Sequence, residues 1–330
     1  MSEILHGGRL DAAIMQYGGE KSEWLDLSTG INPNAYPVPE FSQEVWSRLP
    51  DQNAERKMLD AARKYYGVND QFEIVAAPGT QALIQLLPNI DPARDVSILV
   101  PTYGEHAHVW RSAGARVREV QALDALKPGC ALCVVVNPNN PDACVRTASE
   151  ICRAAEMVTS MVVDEAFCDV NRGETVVACQ PSNVFVLKSF GKFFGLAGLR
   201  LGFAICNAEI GKKVRNALGP WSVSGPAMAL ATQAFEDENW VLQTRDRLGR
   251  DSNDLATLLE DLGFSVEGNS GLFVYIHHHQ SEDVFDWLAK HKILVRPFPE
   301  RPGFLRFGLH KDTDELNRLA DVLTSYVARV

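Results

Sequence analysis

Short apolar runs alternate with amphipathic stretches over the first two thirds of the chain. A helical pattern covers residues 55–66 and ends at Gly67, a residue type that favours helix C-termini. The apolar runs are near-continuous and rich in β-branched residues, which is typical of parallel strands buried on both faces. They occupy residues 73–77, 97–100, 133–136, 161–163, 184–187 and 201–205. This alternation predicts an α/β domain with a mostly parallel sheet covered by helices on both faces.

The pattern changes after Pro220. A long helical stretch covers residues 226–262 and is predicted to break at Gly249. Further strands are predicted up to residue 276 and at 293–295 and 304–307, with helices at 284–290 and 313–328, which together indicate a smaller α+β domain. Residues 1–45 are rich in Gly, Pro and Asn and are expected to form an ordered arm. The predicted division is therefore an arm at 1–45, a large domain at 46–225 and a small domain at 226–330.

Composition narrows the classes of function. The net charge of −10 and the pI of about 5.3 argue against a nucleic-acid-binding surface. No apolar run approaches the roughly 20 residues that span a bilayer, and the N-terminus lacks the features of a signal peptide, so a cytoplasmic location is expected. The seven cysteines are scattered through apolar stretches, which predicts core thiols rather than a disulfide framework. Cys130 and Cys133 have C-x-x-C spacing without a second pair, so no metal site is predicted.

Lys192 stands at fixed distances from two other polar residues. Ser189 precedes it by three residues and Arg200 follows it by eight, and the apolar run 184–187 leads into this segment. A buried strand ending here delivers an amine, a hydroxyl and a guanidinium to one place. Such a group suits a lysine that forms a Schiff base with an aldehyde cofactor, with the hydroxyl and the guanidinium on the cofactor's phosphate. The alternative is a surface loop with two ordinary cations, and the spacing of all three residues argues against it.

The segment around Lys192 also resembles a known motif. It has the form S-x-x-K-x-x-x-x-x-G-x-R, which is similar to the cofactor-lysine motif of pyridoxal-phosphate enzymes of the aspartate aminotransferase superfamily. The run A-G-L-R-L-G-F at 197–203 resembles the histidinol-phosphate aminotransferase branch. The resemblance implies fold type I, in which a large α/β domain with a mostly parallel seven-stranded sheet precedes a small α+β C-terminal domain. It also implies pyridoxal 5'-phosphate as the cofactor, held by Lys192.

Two further segments match the same family. Asp164 ends the apolar run 161–163, and by the resemblance its carboxylate pairs with the protonated pyridine nitrogen of the cofactor. Glu165 beside it is expected to be structural. The segment N-P-N-N-P at 137–141 contains Asn140, which by the resemblance contacts the ring oxygen of the cofactor. Taken alone, these residues also fit a solvated strand end and an Asn-Pro turn.

Three other pieces complete the expected site. Gly79, Thr80 and Gln81 lie at a strand-to-helix turn, where backbone N–H groups bind phosphate well, and by the resemblance they hold the cofactor phosphate. Tyr103 follows another strand and would stack on the pyridine ring. Arg306 lies within an apolar run, and a buried arginine needs an anionic partner, for which the α-carboxylate of the substrate is expected.

The chain departs from the family pattern at several positions. Phe167 stands where many relatives have a tyrosine that contacts the cofactor, and Asp142-Ala143 stands where Thr-Gly is common. Relatives often place a tyrosine of the neighbouring subunit on the cofactor phosphate, and Leu49 occupies the matching position here. A homodimer is still expected from the resemblance.

The N-terminal arm indicates which reaction the cofactor serves. His6-Gly7-Gly8 and the D-x-S-x-x-I-N-P segment at 26–33 resemble the arm of threonine-phosphate decarboxylases of the cobalamin pathway, as does D-E-A-F-x-D at 164–169. His6 and Asn32 could donate hydrogen bonds to a substrate phosphate; a flexible terminus and a Pro-terminated turn are the alternative interpretations. The resemblance implies decarboxylation of O-phospho-L-threonine to (R)-1-amino-2-propanol O-2-phosphate.

Two alternatives share part of this evidence. A histidinol-phosphate or related class I/II aminotransferase that uses 2-oxoglutarate would have the same cofactor residues, because pyridoxal phosphate activates any bond to Cα. The alternative from another class is a non-catalytic sensor, because aminotransferase-like domains also occur in transcription regulators. Those proteins carry an added basic helix-turn-helix module, for which this chain has neither the length nor the charge. No membrane partner is expected.

Overall fold

A computed structural model describes residues 7–329 of the chain. The described residues form two compact units. One comprises residues 7–34, 141–143 and 244–329, and the other comprises residues 35–140 and 144–243. We refer to them as unit 1 and unit 2. The three-part division predicted from the sequence stays a prediction.

The helices and strands are numbered separately in chain order. The helices are α1 Leu10–Tyr17, α2 Gln43–Ser47, α3 Gln52–Tyr66, α4 Thr80–Ile90, α5 Gly104–Ser112, α6 Ala148–Ala155, α7 Phe190–Phe193, α8 Ala208–Leu218, α9 Gly225–Glu236, α10 Glu238–Asp261, α11 Ser281–Lys290 and α12 Thr313–Val327. The strands are β1 Leu25–Asp26, β2 Glu73–Ala77, β3 Asp95–Leu99, β4 Arg116–Val120, β5 Cys130–Val136, β6 Val158–Asp164, β7 Val184–Ser189, β8 Gly202–Cys206, β9 Ser265–Asn269, β10 Phe273–His277, β11 Ile293–Leu294, β12 Arg296–Pro297 and β13 Phe304–Gly308. Within residues 7–329, no helix is long and apolar enough to cross a bilayer. The cytoplasmic location stays a prediction.

Unit 2 contains a seven-stranded sheet with the order β2-β8-β7-β6-β5-β3-β4. The strands from β7 to β4 pair in parallel, and only β8 runs antiparallel to its two neighbours. The predicted α/β class with a mostly parallel seven-stranded sheet is thus confirmed. Pattern analysis missed β4, because Arg-Val-Arg-Glu-Val at this edge of the sheet alternates polar and apolar residues instead of forming an apolar run.

Helices cover both faces of this sheet. On one face, apolar side chains of α4, α5 and α8 pack on β3, β5 and β7; they include Leu83, Leu87, Trp110 and Val214. On the other face, α3 and α9 contribute an aromatic cluster in which Tyr66 and Phe235 contact Phe203 of β8. α3 begins at the side-chain cap of Asp51 and ends at Gly67, which adopts the left-handed conformation, as the sequence predicts.

Unit 1 contains a four-stranded antiparallel sheet with the order β12-β13-β10-β9 and a short parallel pair of β1 with β11. The apolar stretch ending at residue 276 is a hairpin of β9 and β10, because Gly271 has a φ of +77° and turns the chain between them.

The predicted break at Gly249 is wrong. Gly249 lies inside α10, and the helical stretch breaks instead at Asp237. The backbone of Asp237 is not helical (φ −84°, ψ 74°), and its carboxylate accepts a hydrogen bond from the amide of Trp240 at 3.0 Å. A side-chain cap therefore starts α10 at this position, and a glycine inside a long helix is tolerated.

Candidate active site

The polar residues of the predicted cofactor site follow the same edge of the unit 2 sheet. β2, β3, β5, β6 and β7 all end at this edge, and antiparallel β8 begins there. In the strand register, Ala77 and Ser189 both lie opposite Gly202. The turn after β2 and the segment after β7 therefore meet at the start of β8. Ligands of open α/β sheets bind at this carboxyl edge.

A compact cradle surrounds the start of α4. Gly79, which caps this helix, has a φ of +86°, and a Cβ atom there would lie 2.7 Å from Nη2 of Arg200. A Cβ atom on Gly202 would lie 2.6 Å from the amide nitrogen of Thr80. Two glycines thus let a guanidinium and the first backbone N–H groups of a helix approach one another. Such an arrangement of donors binds phosphate.

Lys192 lies in α7, directly after β7. Its Nζ atom is 5.5 Å from the centre of the Phe167 ring, and Phe167 is buried. Ser189 is the last residue of β7, so Ser189 and Lys192 of the sequence motif lie at the same strand end. The ring of Phe167 thus forms part of the surroundings of the Lys192 amine.

Asp164 is buried at the end of β6 and has two hydrogen-bond partners. One carboxylate oxygen accepts from the amide of Ala166 at 3.0 Å, and the other lies 2.9 Å from Nε2 of His106. Because a carboxylate only accepts, Nε2 of His106 carries the proton. His106 is fully buried on α5, and its Nδ1 atom has no hydrogen-bond partner among the described residues. The His106 imidazole therefore fixes the orientation of the Asp164 carboxylate.

Tyr103 caps the start of α5 and contacts the turn before α4. Its hydroxyl donates to Oε1 of Gln81 at 3.2 Å, and Nε2 of Gln81 donates to Glu105 at 2.9 Å. The Tyr103 ring also meets the His106 ring edge-on, with 6.1 Å between the ring centres. These contacts bring together two predicted site residues, Tyr103 and Gln81, from the ends of different strands.

The asparagines after β5 divide into two groups. Asn137 and Asn139 are buried, and their amides bond to the backbone oxygens of Arg146 and Pro101 at 3.0 and 2.7 Å. These two side chains hold the loops at the sheet edge. Asn140 follows them at the same edge and is only half-buried.

Glu165 forms a buried ion pair with Lys188. Glu165 also accepts from the Thr175 hydroxyl at 2.6 Å and from the Val176 amide at 2.7 Å. Burial lowers the pKa of Lys188, but Glu165, through its charge and its hydrogen bond, together with Cys168 and Asp169, outweighs this effect, so the pKa of Lys188 is raised overall. The lysine four positions before Lys192 is therefore a structural cation, and Glu165 has a structural role beside Asp164.

In unit 1, Arg306 lies in the middle of β13 and is buried. Its Nη2 atom donates to the backbone oxygen of Ser28 at 3.0 Å, and Arg296 lies opposite it in the strand register. Burial and the nearby charge of Arg296 lower the pKa of Arg306 to about 9. A buried guanidinium beside a second, half-buried one gains stability from a bound anion.

Asn32 is also buried in unit 1. Its side-chain oxygen accepts from the Asn34 amide at 3.0 Å and from the Arg247 guanidinium at 3.1 Å, so this residue both forms a turn and contacts a cation. The atom of Asn32 that can donate a hydrogen bond to a ligand is its side-chain amide nitrogen. His6, the other predicted arm residue, lies outside the described residues.

Comparisons with known proteins agree with this geometry. The family model of aminotransferase class I and II matches residues 23–323. The chain belongs to this family. The predicted membership of the aspartate aminotransferase superfamily is thereby confirmed.

Two relatives of this aminotransferase-family chain are similar over almost their whole length. A protein of Sinorhizobium sp. named threonine-phosphate decarboxylase is 40% identical over 327 residues, with 97% of each chain covered. A protein of the same name from Pseudomonas aeruginosa is 38% identical over 332 residues, again with 97% of each chain covered. Among solved structures, histidinol-phosphate aminotransferase from Sinorhizobium meliloti in complex with pyridoxal-5'-phosphate has a TM-score of 0.80 at 18% identity and covers 99% of this chain and 96% of its own. That likeness shows the fold alone, and it confirms fold type I.

Pattern analysis missed two residues of this aminotransferase-family site. The sequence patterns gave His106 no role in the site, yet it holds Asp164; the available signal was a histidine among the apolar positions of α5, one helical turn after Tyr103. Arg296 precedes Arg306 by ten residues and, like it, lies next to apolar residues. Within residues 7–329, no group of three or more His, Cys, Asp and Glu side chains could hold a metal ion.

Proposed function

We propose that this protein decarboxylates O-phospho-L-threonine to (R)-1-amino-2-propanol O-2-phosphate in cobalamin (corrinoid) biosynthesis. The protein is a pyridoxal-phosphate-dependent carboxy-lyase. The observation that carries this assignment is the similarity, at 38–40% identity over 97% of the chain, to two proteins named threonine-phosphate decarboxylase. The predicted reaction agrees with these relatives.

The residues at the sheet edge fit pyridoxal 5'-phosphate. The cradle of Gly79, Thr80 and Arg200 offers a cation and helix N-terminal N–H groups, which suit a phosphate dianion. Asp164, oriented by His106, offers an acceptor for a protonated ring nitrogen. Lys192 offers the only side-chain type that forms a Schiff base with an aldehyde. We assign Ser189 and Gln81 to the phosphate end, Tyr103 to a ring face and Asn140 to the ring oxygen.

When bound, pyridoxal phosphate makes the bonds to the substrate Cα labile by drawing electrons into its ring. Asp164 holds the proton on the ring nitrogen, because its buried carboxylate stabilises the adjacent positive charge. His106 keeps that carboxylate in one orientation through the 2.9 Å hydrogen bond. Lys192 would hold the cofactor between turnovers, and Lys192 or a water would return a proton to the substrate Cα.

The two anionic groups of the substrate require cations or hydrogen-bond donors. We assign the substrate carboxylate to Arg306, because its guanidinium is buried and matches a carboxylate bidentately. Arg296 provides a second positive charge for the anionic groups of the substrate. It lies opposite Arg306 in the strand register, and its charge lowers the pKa of Arg306. Asn32 and His6 are assigned to the phosphate.

The proposed reaction predicts carbon dioxide release without a keto acid. The cofactor-loaded protein is mixed with O-phospho-L-threonine alone, and carbon dioxide and the cofactor's absorbance are followed. We expect steady release over many turnovers, with the cofactor spectrum restored at the end. A single conversion to the pyridoxamine form, restarted only by 2-oxoglutarate, would instead identify an aminotransferase.

Replacement of Arg306 by methionine should separate activity from stability. The variant removes a buried charge beside Arg296, so we expect the free energy of unfolding of the ligand-free protein to fall by less than about 1 kcal/mol or to rise. Loss of the carboxylate contact should lower kcat/KM by roughly 10³-fold. Chemical denaturation and steady-state kinetics measure the two effects. Arg329→Met, at the exposed end of the chain, is the control that should change neither.

We propose a homodimer as the assembly of this chain. Unit 2 exposes large apolar side chains near α2, with Trp46 62% and Leu49 66% exposed, and Val38 and Trp221 are also exposed. Exposed apolar residues of this size are typical of association sites. Leu49 stands where relatives place a tyrosine from the other subunit. Sedimentation velocity should give a dimer that Trp46→Glu converts to a monomer.

A further inference from the structure

Two cysteines of unit 2 lie in direct contact. Cys152 is on α6, and Cys179 ends the short 3-10 helix Val176–Cys179. Their Sγ atoms are 2.8 Å apart, and the Cys152 thiol also lies 3.6 Å from the backbone oxygen of Cys179. A disulfide bond is about 2.05 Å long, so the sulfur atoms need to move by less than about 1 Å to become bonded.

The two thiols differ in their surroundings. Cys179 is exposed, whereas Cys152 is half-buried. Burial and the hydrogen bond with Cys179 raise the pKa of Cys152 to about 12. Because the thiolate is the reactive form, Cys152 remains a thiol at neutral pH, and the accessible Cys179 is the side chain that meets an oxidant first.

We propose that Cys152 and Cys179 form a reversible intramolecular disulfide, so that this pair is an oxidative modification site of the protein. With hydrogen peroxide as oxidant, the Cys179 sulfur attacks one peroxide oxygen, the O–O bond breaks, and Cys179 becomes a sulfenic acid while one water leaves. The Cys152 sulfur then attacks the Cys179 sulfur and loses its proton, and the sulfenic oxygen leaves as a second water. Two thiols are oxidised by two electrons, and one peroxide is reduced to two waters.

The position of the pair determines what the bond does. The helix that ends at Cys179 begins directly after Thr175. The Thr175 hydroxyl and the Val176 amide both donate hydrogen bonds to the Glu165 carboxylate. Joining α6 to this helix closes a loop between residues that are 27 positions apart. Such a loop restricts the unfolded chain, so the disulfide should raise the melting temperature by roughly 3 to 6 °C. The sulfur atoms move little, so turnover should change by less than about 2-fold.

The test treats the cofactor-loaded full-length protein with a small excess of hydrogen peroxide. The remaining thiols are alkylated, and the protein is digested without reduction. We expect a peptide pair that joins Cys152 to Cys179, a loss of two hydrogen atoms in the intact mass, and reversal of both by dithiothreitol. The oxidised protein should also melt at a higher temperature than the reduced one.

Matched variants identify the pair. Cys179→Ser and Cys152→Ser should each abolish the cross-linked peptide and the rise in melting temperature. Cys144→Ser removes another exposed thiol and should leave both unchanged. Oxidation that leaves Cys152 open to alkylation, or that links Cys179 to a second chain, would overturn the proposal.

Discussion

Replacement of Lys192 by alanine is expected to lower the turnover of O-phospho-L-threonine by on the order of 10⁵-fold, because Lys192 is the residue assigned to hold the cofactor covalently. The folded structure should persist, since the Lys192 side chain is only half-buried. Borohydride reduction of the loaded wild-type protein should attach the cofactor to the peptide that contains Lys192, and mass spectrometry should find no such peptide in the variant.

A nearby lysine provides the contrasting control. Lys188→Met leaves Glu165 buried without its cationic partner, so the free energy of unfolding should fall by about 3 to 5 kcal/mol. The molecules that remain folded should still carry the borohydride label on Lys192. The control Lys212→Ala removes an exposed lysine and should change neither the free energy of unfolding nor the labelling of Lys192. Labelling of Lys188 in place of Lys192 would contradict the assignment of the cofactor lysine.

Replacement of Asp164 by alanine is expected to lower turnover by roughly 10³-fold, because no other carboxylate is assigned to keep the ring nitrogen of the cofactor protonated. His106→Gln should have a smaller effect, of about 10-fold, because it loosens the carboxylate without removing it. Steady-state kinetics of the cofactor-loaded variants measure both effects.

A modified cofactor distinguishes this role from a structural one. Pyridoxal phosphate methylated on the ring nitrogen carries a permanent positive charge, so it should restore a large part of the activity of Asp164→Ala and none of that of Lys192→Ala. If the methylated cofactor fails to restore activity while the variant still binds it and remains folded, then Asp164 does not act through the ring nitrogen.

Much of the fold could be predicted from local patterns. The apolar runs at 73–77 and 133–136 predicted strands because continuous β-branched stretches are stable in a sheet buried on both faces. Gly67 marked the end of α3 because a glycine tolerates the left-handed conformation required there. The misplaced break at Gly249 shows the limit of such rules, since the side-chain cap of Asp237 decided where the helix starts.

Local sequence was enough to predict most strands of the seven-stranded sheet, the cofactor-lysine motif and the family, because these depend on residues that are near one another along the chain. The pairing of distant side chains depends on the fold and could not be predicted from these patterns. Asp164 and His106 are 58 positions apart, and Cys152 and Cys179 are 27 apart. No periodicity links such residues, because the strand order and the packing of helices on the sheet bring them together. For the same reason, Arg296 could be recognised as a neighbour of Arg306 only from the pairing of β12 with β13.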